Sequence, residues 1–257
     1  MDDDGSNQQI LSRPAQAAPR RNFYGRRHGR RLRSGLKGLL QELLPRLGIT
    51  LPPEGQTLDI AGLFGAPPAA REAVTPWPGE IWLEIGFGSG EHLAWQAERH
   101  PETGLLGAEY FVNGIAALLR EVRDRNLGNL RIFQGDGRDL LAALPEASLD
   151  RVFILFPDPW PKARHNKRRL LGDETLERLA AVMKDGVELR LATDDMGYLR
   201  WILERLVRHT DFEWLARGPQ DWRERPGDWP ATRYEKKALS QGRRPVFLRF
   251  RRRNRGV

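Results

Sequence analysis

A carboxylate and an indole lie between three prolines in Phe156-Pro157-Asp158-Pro159-Trp160-Pro161. Prolines at this density restrict rotation of the chain, so Asp158 and Trp160 are held in fixed directions. A carboxylate held in this way accepts hydrogen bonds from a ring N–H and a neighbouring amine, and the indole either stacks on a planar ring or braces the turn. Lys162, Arg164, Lys167, Arg168 and Arg169 follow at once, a basic run suited to phosphate. Upstream, Glu84-Ile85-Gly86-Phe87-Gly88-Ser89-Gly90 sets Gly86, Gly88 and Gly90 where a tight turn lets a ligand approach the backbone. No Lys-Ser or Lys-Thr follows, and the spacing is not G-x-G-x-x-G, so neither a phosphate-binding loop nor a dinucleotide fingerprint is present. Glu109 comes ~20 residues later, the interval at which an acid takes ribose hydroxyls. Asp136 adds a third acid, placed to accept an adenine amino proton. A pocket lined by Glu84, Glu109 and Asp136 repels a pyrophosphate and suits a cationic, phosphate-free nucleoside. S-adenosylmethionine, with its sulfonium, amino group, ribose and adenine, fits that description, and NAD(P) does not.

These residues fall at the ends of apolar runs. Strands are expected at 81–85, 105–108, 130–133, 151–156, 187–192 and 246–250, and helices at 91–99, 112–125, 138–144, 175–184 and 196–207. Such alternation predicts an α/β fold with a doubly wound, mostly parallel sheet, in which ligands bind beyond the carboxyl ends of the strands. Residues 1–20 read as a disordered tail, 21–79 as a basic N-terminal extension and 80–257 as the chemistry-bearing domain. Within the extension, Leu39, Leu40, Leu43, Leu44 and Leu47 have helical spacing and predict a short helix ending by Pro45 to Gly48; 51–79 reads as a Pro/Gly-rich connector.

Composition narrows the classes. The chain has 257 residues, 40% hydrophobic, enough for a core, and no cysteine, which excludes disulfides, a thiolate zinc site and a cysteine nucleophile. The histidines, His28, His92, His100, His165 and His209, have no metal-ligand spacing, and no metal is expected. No apolar run approaches the ~18–20 residues that cross a bilayer, and the acidic start is the reverse of a targeting peptide. The expectation is a cytoplasmic protein without membrane contact, monomeric because no segment advertises an interface. Of 42 basic residues only six are Lys, and the Arg excess is clustered at 20–33, including Arg26 and Arg27, at 162–169 and at 249–255. Compositional drift would scatter these charges, whereas a polyanion-binding surface gathers them.

The segments 84–90 and 156–170, the pair Thr193-Asp194 and the tetrapeptide Thr232-Arg233-Tyr234-Glu235 resemble the bacterial tRNA (guanine-N7)-methyltransferase family, in order and from about Phe23 to the C-terminus. The resemblance implies a Rossmann-like class I methyltransferase fold, S-adenosylmethionine as donor, and tRNA as acceptor at N7 of guanine 46 in the variable loop. It implies cofactor contacts at Glu84, Glu109, Asp136 and Asp158 beside the three glycines, with Asp158 catalytic. Substrate contacts fall on Lys162, Asp194 and the 232–235 tetrapeptide, which is also a capping-box pattern. Two features depart from the family: Asp195 stands where an aromatic is common, and the N-terminal basic block continues through Arg30, Arg31 and Arg33. An amino-group RNA methyltransferase is the nearest rival, since Asp158-Pro159-Trp160 partly imitates its motif. A nicotinamide dehydrogenase and a non-catalytic RNA-binding module are more distant ones.

Overall fold

The strand-forming runs are apolar at nearly every position rather than at alternate ones, the pattern of strands covered on both faces. In the computed structural model, which describes residues 25, 27–65 and 78–256, β1 (Glu80–Ile85) is buried at every position after the first. With β2 (Thr103–Glu109), β3 (Leu130–Gln134), β4 (Leu149–Leu155), β5 (Met183–Thr193), β6 (Phe212–Trp214) and β7 (Val246–Arg252) it forms one sheet in the order β3-β2-β1-β4-β5-β7-β6. Neighbours from β3 to β5 pair in parallel, and β7 runs antiparallel to both β5 and β6. The doubly wound, mostly parallel α/β sheet expected from the sequence is therefore present.

Alternate strand residues feed two cores, as the period of two dictates. Leu83, Ile85, Val152 and Ile154 meet Leu140 of α6 (Gly137–Ala143), Leu176 of α7 (Asp173–Val182) and Ile202 of α8 (Met196–Leu206). Trp82, Phe153 and Leu155 meet Leu93 of α4 (Glu91–Arg99), Leu118 of α5 (Val112–Asp124) and Leu39 of α1 (Ser34–Glu42) on the other face. Each leucine so buried contributes ~1.5–3 kcal/mol. The chain winds outward from β1 to β3, then returns to lay β4 beside β1. That reversal opens a crevice between their carboxyl ends, where ligands bind in such sheets.

The structure departs from the sequence expectations in four places. The leucine-rich helix is two, α1 and α2 (Leu44–Leu47), ending at Gly48 as expected. The connector is partly core: Ile49 donates its amide to Ile132 at 2.8 Å, and α3 (Ile60–Phe64) buries Phe64. The helix placed at 175–184 stops at Val182, because Met183 already pairs with Leu149 across a bulge in the β4–β5 ladder. β6 was unforeseen, being three residues long and too short to show a period. The tail proposed at 1–20 and residue Arg26 lie outside the described residues. Arg27 to Arg30 are docked on the start of α5, with Gly29 donating to Asn113 Oδ1 and Asn113 Nδ2 to the Arg30 carbonyl, both at 2.7 Å. No helix among the described residues is long and apolar enough to cross a membrane.

Candidate active site

The glycine loop leaves β1 with φ of +76° at Gly86, +57° at Gly88 and +77° at Gly90. Three left-handed residues in five explain the G-x-G-x-G spacing, since side chains rarely tolerate that region. Close approach adds a second reason: a Cβ on Gly90 would lie 2.6 Å from Leu118, and one on Gly88 2.9 Å from the Tyr234 ring. The loop forms one wall of an open cleft of about 760 Å³ that also borders Glu109, Asp136, Asp158 and Tyr234. This volume lies in the range of small-molecule sites.

The acids do different work. Glu109 accepts three amides, from Gly88 at 2.8 Å, Tyr110 at 2.7 Å and Phe111 at 2.8 Å, and so ties the glycine loop to the end of β2. Burial pushes its carboxyl above the ordinary range; the three amides oppose that and the Asp158 charge adds to it. Asp136 caps α6 by accepting the Arg138 amide at 3.0 Å and takes the Arg138 Nε at 3.0 and 3.1 Å. Its charge is therefore paired, which the sequence did not suggest. Glu84 is buried and meets His92 Nδ1 at 2.8 Å, bordering a separate recess of about 20 Å³ beside the main cleft.

Asp158 is exposed at the end of a corner that begins where Phe156, at φ +53°, turns the chain out of β4. Trp160 follows at φ +44°, also left-handed. One face of its indole carries the Arg168 guanidinium, 5.0 Å from the ring centre, and its edge meets His165. These contacts brace the turn, and the indole also borders the cleft. Lys162, at the start of the 3-10 helix Ala163–Arg168 that follows, is exposed, as are Arg164 and Lys167 on it, and Arg168 reaches the cleft. Burial, then the charges of Arg168, Arg164 and Lys162, push the His165 imidazole down. Across the cleft, Thr232 caps α9 (Arg233–Ser240) by accepting the Glu235 amide at 3.2 Å, as the capping-box pattern requires. Tyr234 stacks toward Phe156, with ring centres 6.4 Å apart, and so joins the ends of β1 and β4.

A family model described as "Putative methyltransferase" matches residues 78–248. A tRNA (guanine-N(7)-)-methyltransferase of Paramagnetospirillum magneticum is 50% identical over 240 residues, covering 93% of this chain and 96% of that protein. One of Rhodospirillum rubrum is 48% identical over 237 residues, with 91% and 89% covered. The chain belongs to the tRNA (guanine-N(7)-)-methyltransferase family. The amino-group, dehydrogenase and RNA-module readings give way to this membership.

For a member of this methyltransferase family, the structure redraws part of the expected binding surface. Arg169, read from sequence as a phosphate contact, is only 8% exposed. Its Nε donates to the Pro159 carbonyl at 2.8 Å and its Nη2 faces the Trp160 carbonyl at 3.5 Å, while Tyr198 and Trp201 flank the guanidinium. It tethers the Asp158 corner instead of facing solvent. Burial pushes the Tyr198 hydroxyl up to about 12, so it stays protonated beside that cation. Part of the 249–255 cluster is likewise engaged within the fold: Arg249 pairs with Glu188 at 2.7 Å, Arg252 is buried against the Ala180 carbonyl, and Arg255 holds Asp185 and three carbonyls, while Arg251 and Arg253 stay exposed. Asp195 rather than Asp194 caps α8, accepting the Tyr198 amide at 2.7 Å, and Asp194 pairs with Arg243 at 3.1 Å.

Sequence reasoning missed Arg138, Tyr110 and Lys237, all bordering the cleft. Arg138 had a usable signal, its place two residues after Asp136 in the first turn of the helix that Asp136 caps. The fold also gathers Glu177, His209 and Asp211, a cluster that spacing did not reveal. There the Asp211 amide donates to His209 Nδ1 at 3.2 Å, and His209 Nε2 lies 3.7 Å from Glu177 Oε1, too far for a hydrogen bond.

Proposed function

We propose that this chain transfers a methyl group from S-adenosylmethionine to N7 of guanine 46 in the tRNA variable loop. The observation that carries this reading is the exposed Asp158 carboxylate on a tethered corner, at the rim of a cleft whose other walls are the glycine loop and Glu109. The bound donor supplies an electrophilic methyl group on a sulfonium. Guanine N7 has a lone pair and no proton, so no side chain has to act as a base. The protein's task is positioning, and holding reactants in a near-attack geometry is worth ~7–11 kcal/mol.

The residues present fit that donor. Glu109 spends its carboxylate on three amides and still has lone pairs for ribose hydroxyls. Asp136, oriented by Arg138, accepts the adenine amino group, and Gly86, Gly88 and Gly90 let the nucleoside lie against the backbone. Glu84 takes the donor's amino-acid end from the adjoining recess. Asp158 accepts hydrogen bonds from guanine N1–H and the exocyclic amine; adenine, with an acceptor at N1, is repelled. The same carboxylate stabilises the cationic N7-methylguanine as it forms. Thr232, Arg233, Tyr234 and Glu235, with Asp194, frame the acceptor side. Lys162, Arg164, Lys167, Arg168 and Arg27, with Arg26 beyond the described residues, grip tRNA phosphates. On this reading the protein works on tRNA as a cytoplasmic monomer.

Incubation with unmodified tRNA and labelled S-adenosylmethionine, followed by nucleoside mass analysis and cleavage mapping, tests the proposal. N7-methylguanosine at position 46 is expected. Methylation of an exocyclic nitrogen instead would overturn it.

A further inference from the structure

α4 starts directly after the glycine loop, and its first six residues carry Glu91, His92 and Gln96. His92 and Gln96 are fully buried, and so is Glu84. His92 Nδ1 meets Glu84 Oε2 at 2.8 Å, Gln96 Nε2 meets His92 Nε2 at 3.1 Å, and the same Gln96 nitrogen meets the Asp228 carbonyl at 3.0 Å. The polarity of this chain is fixed from its far end. A carbonyl oxygen can only accept, so the amide nitrogen of Gln96 must face Asp228. That nitrogen gives its second proton to His92 Nε2, and the His92 proton therefore sits on Nδ1, pointing at Glu84.

The same helix holds the next segment at further points. Glu91 Oε2 accepts the Arg233 amide at 2.7 Å, and the His92 ring lies edge-on to Trp229, 6.2 Å between centres. Arg190 fixes the outer side of this segment by pairing with Asp228 at 2.6 Å while lying over Trp229 and Phe153. Residues 228–233 lead into the capped tetrapeptide whose Tyr234 covers Gly88. One helix thus ties the acid at the end of β1 to the element that frames the acceptor.

The arrangement is not what packing alone would select. Gln96 Oε1 is buried without a partner, the consequence of turning the amide nitrogen toward Asp228. A buried polar network with an unmade bond is less stable than an apolar filling of the same space. We propose that His92 and Gln96 are positioning residues: His92 orients the Glu84 carboxylate for the donor, and Gln96, through Asp228, sets the height of the 228–235 segment for the acceptor. This rests on the reading of Glu84 as a donor contact. The two arms are separable, because the donor arm runs through His92 and Glu84 and the acceptor arm through Gln96 and Asp228.

The test compares His92→Leu, His92→Asn, Gln96→Met and Glu84→Gln in the full-length protein, with donor affinity by calorimetry and kcat and KM for tRNA measured separately. His92→Leu should weaken donor binding about tenfold, the size expected when a buried carboxylate loses its hydrogen-bond donor, with KM for tRNA near wild type. His92→Asn, whose amide still reaches Glu84, should restore most of the donor affinity. Gln96→Met should raise KM for tRNA and leave donor affinity unchanged, a split that a general loss of stability would not produce. In combination with Glu84→Gln, His92→Leu should cost no further donor affinity. Wild-type donor affinity in His92→Leu, or additive losses in the double variant, would overturn the proposal. Unchanged donor affinity in Glu84→Gln would sink the reading of Glu84 and with it the donor arm, while Gln96→Met would still decide the acceptor arm. Should His92→Leu fail to fold, His92→Asn and Gln96→Met decide the two arms by the same readouts.

Discussion

Replacing Arg169 by Met separates the tether on the Asp158 corner from global stability. The guanidinium makes one full-strength bond, Nε to the Pro159 carbonyl at 2.8 Å, and one at the limit of bonding distance, Nη2 to the Trp160 carbonyl at 3.5 Å. A hydrogen bond from a charged donor contributes ~1.5–3 kcal/mol. Stacking near Tyr198 at 5.3 Å and Trp201 at 4.9 Å adds ~0.5–1 kcal/mol each, more when desolvated. Against this gross ~3–5 kcal/mol stands the several kcal/mol needed to bury a charge, and among the described residues no carboxylate is paired with it. Methionine fills similar space without that cost, so unfolding free energy should change by about 1 kcal/mol, equivalent to ~2–4 °C in Tm for a domain of this size.

The corner itself should respond far more. Phe156 and Trp160 sit at φ +53° and +44°, conformations that cost ~1–3 kcal/mol each and persist only where neighbours hold them. Loss of a tether worth ~1.5–3 kcal/mol lets relaxed conformers compete, which reduces the competent fraction, and with it kcat/KM, by about 10–100-fold. Arg169→Lys should fall between, since an ammonium reaches one carbonyl and cannot fill the slot between two aromatic rings as a planar fork does. Steady-state methylation and thermal unfolding measured on the same preparations decide the matter. A kcat/KM within about twofold of wild type would refute the tether, and a loss of activity matched by a collapse in Tm would make Arg169 a general stabiliser instead.

Asp158→Ala should lower kcat by about 10²–10³-fold, the range for losing one aimed electrostatic group, with donor affinity reduced at most moderately; near-normal turnover would remove its guanine-orienting role. Glu109 has its folded pKa raised from 4.5, so its contribution to stability is complete below that value and is lost as pH rises through the raised one. On the proposed role of Glu109 as a ribose acceptor, donor binding should run the opposite way, weakening as pH falls into the same window; calorimetry should find this dependence in the wild type and not in Glu109→Gln. Glu188 is lowered from 4.5 to about 2: burial pushes it up, but Arg249 and Arg190 together outweigh burial. Its stabilisation should be intact above 4.5 and disappear as pH falls through about 2, a loss visible in urea midpoints of the wild type and missing from Glu188→Gln. Joint substitution of Lys162, Arg164 and Lys167 by Ala should flatten the slope of log tRNA affinity against log salt by about 2–3; an unchanged slope would take these side chains out of the interface.

What could be read from the sequence is what local geometry dictates. The three glycines after β1 announce a turn because their left-handed backbone is needed whatever surrounds them, and the acids after β2, β3 and β4 are found by counting from strand ends. Arg168 and Arg169 mark the limit. They are adjacent and chemically identical, yet one reaches the cleft and the other is enclosed, and the difference is made by Tyr198 and Trp201 on α8, distant in sequence. The 249–255 arginines mislead for the same reason, since their partners Glu188, Asp185 and the carbonyls after Leu179 come from other elements. His92 carried no signal at all. A histidine on the apolar face of a helix becomes informative only when Glu84 and Gln96 are found on either side of it.

The charge layout follows the chemistry more closely than an acidic pocket inside a basic rim would suggest. Asp136 is paired with Arg138, and Glu84 is held by His92 in its own recess, so among the described residues two carboxylates face the main cleft without a cationic partner of their own: Glu109 on one wall and Asp158 at the mouth. They repel each other, for the Asp158 charge is one cause of the raised Glu109 pKa. A cation arriving between them relieves that repulsion. Methyl transfer from a sulfonium to a neutral base moves a positive charge without creating or destroying one, so a field built from two fixed carboxylates serves both ends of the reaction without rearranging. That requirement explains why so much of the buried polar structure around the cleft, the three amides on Glu109, the guanidinium behind Asp158 and the histidine behind Glu84, holds acids in place and moves no protons.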